Sequence, residues 1–358
     1  MTQLSSIRSA LKAAFVGALA SAVVMIAATA PRADEGGVSF WVPGFFGSLA
    51  ATPLVPGFSY ANIYYHTSVN AGGDVAFARQ VNRGNIRANF SGNLNATINA
   101  DVDLYMAVPS YTFAQPFLGG QATVVALFPY GRAKGSVDAT LTGNLGLGGP
   151  GFTISGGRTD EIVGFGDVAG MFNVRWNAGV HNTMAYVATN FTTGRYDPTR
   201  LANLGLGHNA IDAGGGYTYF DTKTGIEFSS VLGFTYNFVN PSTDYKNGID
   251  MHFDWGASKF LSKQVFVGLV GYAYQQLTCD SGAGDRVGCF ESRVFGIGPQ
   301  LGYIFPVGTT HQGYLNVKGY KEFEAEHRAS GWNAWLTFAI SPAPPSETPP
   351  KAPPTIRK

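Results

Sequence analysis

The chain of 358 residues carries 24 Lys and Arg against 23 Asp and Glu, for a formal net charge of +1. So even a balance excludes the basic footprint of a nucleic-acid-binding protein. With 47 Gly, 13% aromatic residues, 13% charged residues and two Cys, the composition suits many turns and strands rather than helices.

The chain opens on a basic start (Arg8, Lys12), an apolar run from Ala13 to Ala28 and small residues at Ala28, Ala30 and Ala33. That order predicts a secretory signal peptide over 1–33 and an exported mature chain. Beyond it no apolar run reaches the length of a membrane-spanning helix. Residues 34–57 follow with "WVPGFFGSLAATPLVPGF", dense in aromatics, Pro and Gly and lacking strand alternation. Such a segment is too oily for a free tail, so Phe40, Trp41, Phe45 and Phe46 are expected either to plug the lumen of a barrel or to cap its floor.

From residue 58 to 340, twelve runs with strand character alternate with turn signals: 58–70, 85–112, 120–146, 165–178, 181–193, 209–220, 225–238, 248–259, 263–277, 289–304, 313–325 and 330–340. Their links alternate between short ("DTKTG", "LSKQ") and long ("LGGPGFTISGGRTDEIVG", "RYDPTRLANLGLGHN", "CDSGAGDRVGC"). This predicts an all-β, antiparallel, up-and-down transmembrane β-barrel of about twelve strands, with short periplasmic turns and long surface loops. Closure is what lets strands span lipid, because an open edge leaves backbone groups unsatisfied. A soluble sandwich or lipocalin-like barrel alternates too, with its oily face inward.

The run "IRANFSGNLNATINADVDLYMAV" (86–108) keeps a period of two with apolar or small residues at even positions. Taking the oily face to lipid places Arg87, Asp101 and Asp103 on the lumen side, and the same rule places Arg132, Lys134 and Arg175 there. The stretch is about twice a spanning length, so 85–112 and 120–146 are expected to project beyond the membrane as a surface hairpin. Asp250, His252 and Asp254 share one face of their strand, opposite Met251, Phe253 and Trp255. An isolated D-x-H-x-D has no fixed metal geometry, so an interior hydrogen-bonded ladder is preferred over a metal site. Lys318, Glu322 and Glu324 also fall on one face, as lumen charges paired across strands with Arg132, Lys134 or Arg175.

Cys279 and Cys289 flank a Gly-rich loop of an exported chain and are read as a disulfide. The six His are scattered and no G-x-S-x-G stands near them, so no catalytic residue, cofactor or metal is expected. The Pro-rich tail 341–358 is expected to be extended and periplasmic, leaving Trp332 to Phe338 as the closing strand that outer-membrane assembly machinery reads.

The segments "DEGGVSFWVPGFFGSLAA" (34–51), "TTGRYDP" (192–198), "NPSTDYKNGIDMHFDW" (240–255), "VGYAYQQLTCDSG" (270–282), "GIGPQLGYIF" (296–305) and "EFEAEHRASGWNAWLTF" (322–338) together resemble the outer-membrane family named for the MetA pathway of phenol degradation. Thr192 and the cysteine pair depart from its pattern. The resemblance implies an outer-membrane β-barrel near channels for fatty acids and aromatic hydrocarbons. The expected partners are outer-membrane lipid and a small hydrophobic or aromatic substrate, for a monomer with passive uptake. A structural or adhesive barrel with a closed lumen is the alternative.

Overall fold

The computed structural model describes residues 39–72, 91–144, 151–285, 289 and 291–344. The expected signal peptide (1–33), residues 34–38, Arg87 and the tail beyond 344 lie outside the described residues. Among the described residues thirteen strands form one antiparallel sheet: β1 (Gly57–Ala71), β2 (Ser91–Phe117), β3 (Gly120–Asn144), β4 (Gly151–Phe165), β5 (Val168–Ala178), β6 (His181–Phe191), β7 (Ala210–Asp221), β8 (Ile226–Asn237), β9 (Asp250–Phe260), β10 (Val265–Gln276), β11 (Arg293–Val307), β12 (His311–Glu326) and β13 (Ser330–Pro342). Pairing of β1 with β13 and of β2 with β3 closes a ring of twelve, to which β4 is an addition.

The extra strand corrects the reading of 147–164 as a loop. The outer half of β3 (Tyr130–Asn144) pairs with β4, whereas its inner half (Gln121–Leu127) pairs with β5. The chain thus descends along β4 outside the ring and enters the wall at β5. The long β2–β3 hairpin, expected to project, does so with β4 as its third strand. Its Leu118-Gly119 turn has both residues at positive φ (52° and 74°), the geometry that matches strand twist in a two-residue hairpin.

Short connections (118–119, 179–180, 222–225, 261–264, 308–310) gather on one side, where β1 begins and β13 ends. Long ones (192–209, 238–249, 277–292) lie on the other, together with the three-residue link 327–329. By the rule for outer-membrane barrels the short-turn side is periplasmic. Cys279 and Cys289 are disulfide-bonded in the last of the long connections.

On β8 the faces separate as expected: Phe228, Leu232, Phe234 and Tyr236 are exposed while Glu227, Ser229, Thr235 and Asn237 are buried. Strand β13 repeats this, with Trp332, Leu336 and Phe338 outside and Asn333 and Trp335 inside. A closed ring with a belt of exposed apolar side chains is the surface that hydrocarbon requires.

On β2 and β3 the assignment is reversed. Ala96, Ile98, Met106, Val108 and Thr112 are buried, and Tyr105, Tyr111, Phe113 and Phe117 are exposed. On β3, Ala133 and Val137 are buried and Val124, Phe128 and Tyr130 are exposed. The cause is what fills the interior. Within the membrane Met106 and Val108 belong to a core that Val42 and Phe45 of the N-terminal segment join. Above it, Ala96, Ile98, Val137 and Ala139 pack with Leu201, and Ala133 and Ile162 with Ala202, from the loop 192–209. Wherever the interior is oily, the apolar face turns inward.

Asp101, Asp103, Arg132 and Lys134 therefore lie on the outer face, not in the lumen. Arg132 pairs with Asp103 at 3.1 Å and with Glu161 at 3.8 Å, and Asp103 also takes His66 Nδ1 and the Tyr64 hydroxyl, each at 2.8 Å. Asp101 sits across from Lys134. The charges stand just beyond the rings of Tyr64, Tyr105, Tyr130 and Phe165, which pair as Tyr64 with Tyr105 and Tyr130 with Phe165. Such an aromatic rim marks the edge of the apolar band.

The loop 192–209 folds back over the β3–β4 face. Arg200 donates from Nε and Nη2 to the two Asp160 oxygens (3.1 and 2.7 Å), and Leu201 N donates to the same carboxylate at 3.1 Å. Arg195 N donates to the carbonyl of Phe165. The Arg200 hydrogen bonds hold the Asp160 carboxyl below its ordinary range.

Two outcomes follow from this packing. Leu232→Arg, mid-strand on the lipid face, lowers stability by about 2–4 kcal/mol in urea unfolding from lipid vesicles. Because a depressed carboxyl stabilises only above its unfolded pKa, docking of the 192–209 loop is complete at neutral pH and is lost as pH falls through the depressed Asp160 value. Protease cleavage at Arg195 and Arg200 reports this, and Asp160→Asn brings the same cleavage at neutral pH.

Candidate functional site

Residues 39–56 run inside the barrel. Pro43, Pro53 and Pro56 deny the segment a place in any ladder, and Gly44 has φ +87° with the Tyr320 ring 2.9 Å from where a Cβ would stand. The chain turns there because only glycine combines that conformation with that approach. Phe45 N and Thr52 N bond back to the carbonyls of Val42 and Leu49, and side chains of the wall take other backbone groups of the segment.

Asp254 on β9 accepts Gly44 N (2.9 Å), Phe46 N (3.3 Å) and the Trp41 indole (3.2 Å). Lys318 on β12 donates to the carbonyls of Gly44, Phe45 (2.9 Å) and Phe46 (3.1 Å). One carboxylate thus takes the turn's N–H groups and one ammonium takes its C=O groups, both buried. Further along, Gln300 donates to Ser48 (2.7 Å), Leu49 N donates to Glu227 (2.8 Å), Ala51 N to Thr218 (3.0 Å) and Leu54 N to Gln121 (2.7 Å).

Phe40, Trp41, Phe45 and Phe46 lie within the barrel. Trp41 stacks on His252 with ring centres 3.8 Å apart and planes 10° from parallel, and it contacts Phe45, Phe46 and Tyr186. His252 Nε2 lies 3.1 Å from Asp212 Oδ2 and 3.2 Å from the Tyr186 hydroxyl, and Thr235 donates to the same Asp212 oxygen. Asp250 instead accepts Asn237 Nδ2 at 2.9 Å. Asp250, His252 and Asp254 all face inward, yet each turns to a different partner and they do not converge on a common ligand.

Lys318 and Glu322 face the interior without pairing across strands as expected. Lys318 is occupied by carbonyls, and Glu322 accepts the Tyr272 hydroxyl and Gly331 N, both at 2.7 Å. Their expected partners Arg132 and Lys134 are on the other face. Glu324 is a further correction: its φ of +50° breaks the alternation, and both Phe323 and Glu324 are exposed. Arg175 lines the interior on β5, donating to Asn173 Oδ1 (2.8 Å) and reaching the Ala50 carbonyl at 3.4 Å.

Between the segment and the wall of β2, β3, β5 and β6 lies a cavity of about 360 Å³. Phe40, Trp41, Phe45 and Phe46 form one side, and Met106, Val108, Val125, Leu127 and Met171 the other. Leu204, Leu206 and Asp167 close its outer end, and Leu54 and Arg175 its inner end. A volume of this order, mostly apolar with a few polar groups, is that of a small-molecule site.

Several of these residues escaped the sequence reading. Leu204 and Leu206 sit in a surface loop, and the apolar spacing of "LANLGLG" was the available signal that the loop folds inward. Glu227, the one acid on the Ser and Thr face of β8, was a signal as well. Asp212 and Gln121 gave none.

The family described as "Putative MetA-pathway of phenol degradation" matches residues 72–338. The chain belongs to this family. No curated protein matches the sequence. Among solved structures, an outer membrane channel from Pseudomonas putida F1 is similar at TM-score 0.57 and 12% identity, over 85% of this chain and 100% of that one. A Pseudomonas aeruginosa FadL homologue (TM-score 0.39, 10% identity, 88% and 98% covered) and the Ralstonia pickettii toluene transporter TbuX (0.34, 9%, 88% and 99%) are similar at a lower level. The family member described here is an outer-membrane barrel of the first structure's fold.

The Asp254 and Lys318 clamps make a prediction about the interior. Asp254→Ala leaves two buried backbone N–H groups without acceptors, at about 1–3 kcal/mol each, and the segment loosens. Single-channel current in planar bilayers rises, and protease sites within 39–56 open. Lys318→Met acts in the same direction, and the double variant falls short of the sum because both side chains hold one turn.

Proposed function

We propose that the protein conducts small hydrophobic or aromatic compounds across the outer membrane by diffusion, with no cofactor and no energy source. The observation that carries this reading is the apolar cavity, about 360 Å³, between the outer loop and the inner end of the N-terminal segment. An interior built only for stability has no use for a void between four aromatic and five aliphatic side chains, because unfilled apolar space costs packing energy. Membership of a family named for phenol degradation agrees with aromatic cargo. Asp254 and Lys318 hold the N-terminal segment, His252 faces Asp212, and Glu322 is taken up by the Tyr272 hydroxyl and Gly331 N, which argues for positioning roles rather than catalysis.

Val125→Trp, which fills the cavity from β3, tests the reading. Uptake of labelled phenol and toluene into proteoliposomes falls several-fold while heat-modifiable gel migration stays that of a folded barrel. Unchanged uptake in that variant sinks the proposal. Equal permeability of liposomes with and without the wild-type protein favours instead a closed structural or adhesive barrel, whose binding face would be the outer sheet of β2, β3 and β4.

A further inference from the structure

Two charged side chains line the cavity, at opposite ends, and they are treated differently. Asp167 is saturated: it accepts Gly194 N (2.8 Å), Leu206 N (2.9 Å) and Asn190 Nδ2 (3.1 Å). Arg175 is not. Its Nη1 has Asn173, its Nη2 has only the 3.4 Å contact to the Ala50 carbonyl, and its buried Nε has no hydrogen-bond partner.

Among the described residues no carboxylate lies within ion-pair distance of Arg175. Asp167 stands eight positions up the chain, about 26 Å away at roughly 3.3 Å per residue of extended strand. An enclosed guanidinium facing an apolar chamber needs an anion, and its planar fork fits a carboxylate with two parallel hydrogen bonds.

Resting on the channel reading, we propose that Arg175 is the recognition site for a carboxylate, so that the preferred cargo is an amphipathic acid with an aromatic or aliphatic body. The body lies against Met106, Val125 and Phe45, and the carboxylate takes the Nε and Nη2 edge of Arg175. That edge is where the Ala50 carbonyl now makes its long contact. Cargo and N-terminal segment therefore compete for one guanidinium at the inner end of the cavity.

The test is calorimetric titration of the full-length protein in detergent with 2-naphthoate and its neutral isostere 2-naphthamide, at pH 7. Wild type binds the acid about tenfold or more tightly than the amide, as expected of hydrogen bonds to a charged group. In Arg175→Gln the two affinities converge, and Arg175→Lys, which keeps the charge without the fork, retains part of the preference. Heat-modifiable migration verifies that each variant is folded. Equal affinities in wild type, or an undiminished preference in Arg175→Gln, overturn the carboxylate site and leave the channel reading standing. Failure of both ligands to bind, with neither crossing proteoliposomes, overturns both.

Discussion

A polypeptide drawn through the inside of a closed barrel has no strand to pair with, so its backbone groups must find partners in its own tight turns or in side chains of the wall. Residues 39–56 use both, with Phe45 N and Thr52 N bonding back to Val42 and Leu49 and the wall supplying much of the rest, and much of the interior is arranged around this. The turn at Gly44 presents N–H groups toward β9 and carbonyls toward β12, where Asp254 and Lys318 supply opposite charges. Buried charges are costly unless bonded on all sides. Here each ion is surrounded by peptide dipoles, so the turn and the two ions stabilise one another. Removing any one leaves the others unsatisfied.

The same condition divides the interior in two. Most side-chain contacts to the segment's backbone come from Thr218, Glu227, Ser229, Asp254 and Lys318, on β7, β8, β9 and β12. The opposite wall, β2, β3, β5 and β6, offers Met106, Val108, Val125, Leu127 and Met171 and faces the segment's aromatic side across the cavity. The segment is thus gripped mainly from β7, β8, β9 and β12, while Gln121 on β3 and Arg175 on β5 reach Leu54 and Ala50 at the inner end and open space remains between.

This division also explains which parts of the fold were legible in the sequence. Where the wall grips the segment, the inside is polar and the outside oily, so β8, β9 and β13 declare their orientation by alternation alone. Where the wall faces the cavity or the folded-back loop, both sides of the strand are oily or the strand has left the membrane. There the alternation over 91–108 reads correctly as a strand but with the faces exchanged, which carried Asp101, Asp103, Arg132 and Lys134 to the wrong side. Strand β4 was hidden because Gly156 and Gly157 look like a turn, whereas in the structure they pair with Ala139 and Asp138. A Cβ at Gly157 would stand 2.5 Å from the Asp138 carboxylate, which would have to swing aside. Phe40, Trp41, Phe45 and Phe46 were legible by density, since so many rings outside any strand pattern need a covered place.

Orientation by alternation assumes a lumen filled with water, and the aromatic segment ahead of the first strand already contradicts that assumption. Four large rings placed inside a twelve-stranded ring must turn the facing wall apolar, since a polar wall against them would leave its donors and acceptors unsatisfied. The inward turn of Met106 and Val108 is then a consequence of Phe45 and Val42 packing with them. In a barrel of this kind the contents of the lumen decide which face of each strand looks inward, and the N-terminal segment has to be placed before the strands can be read.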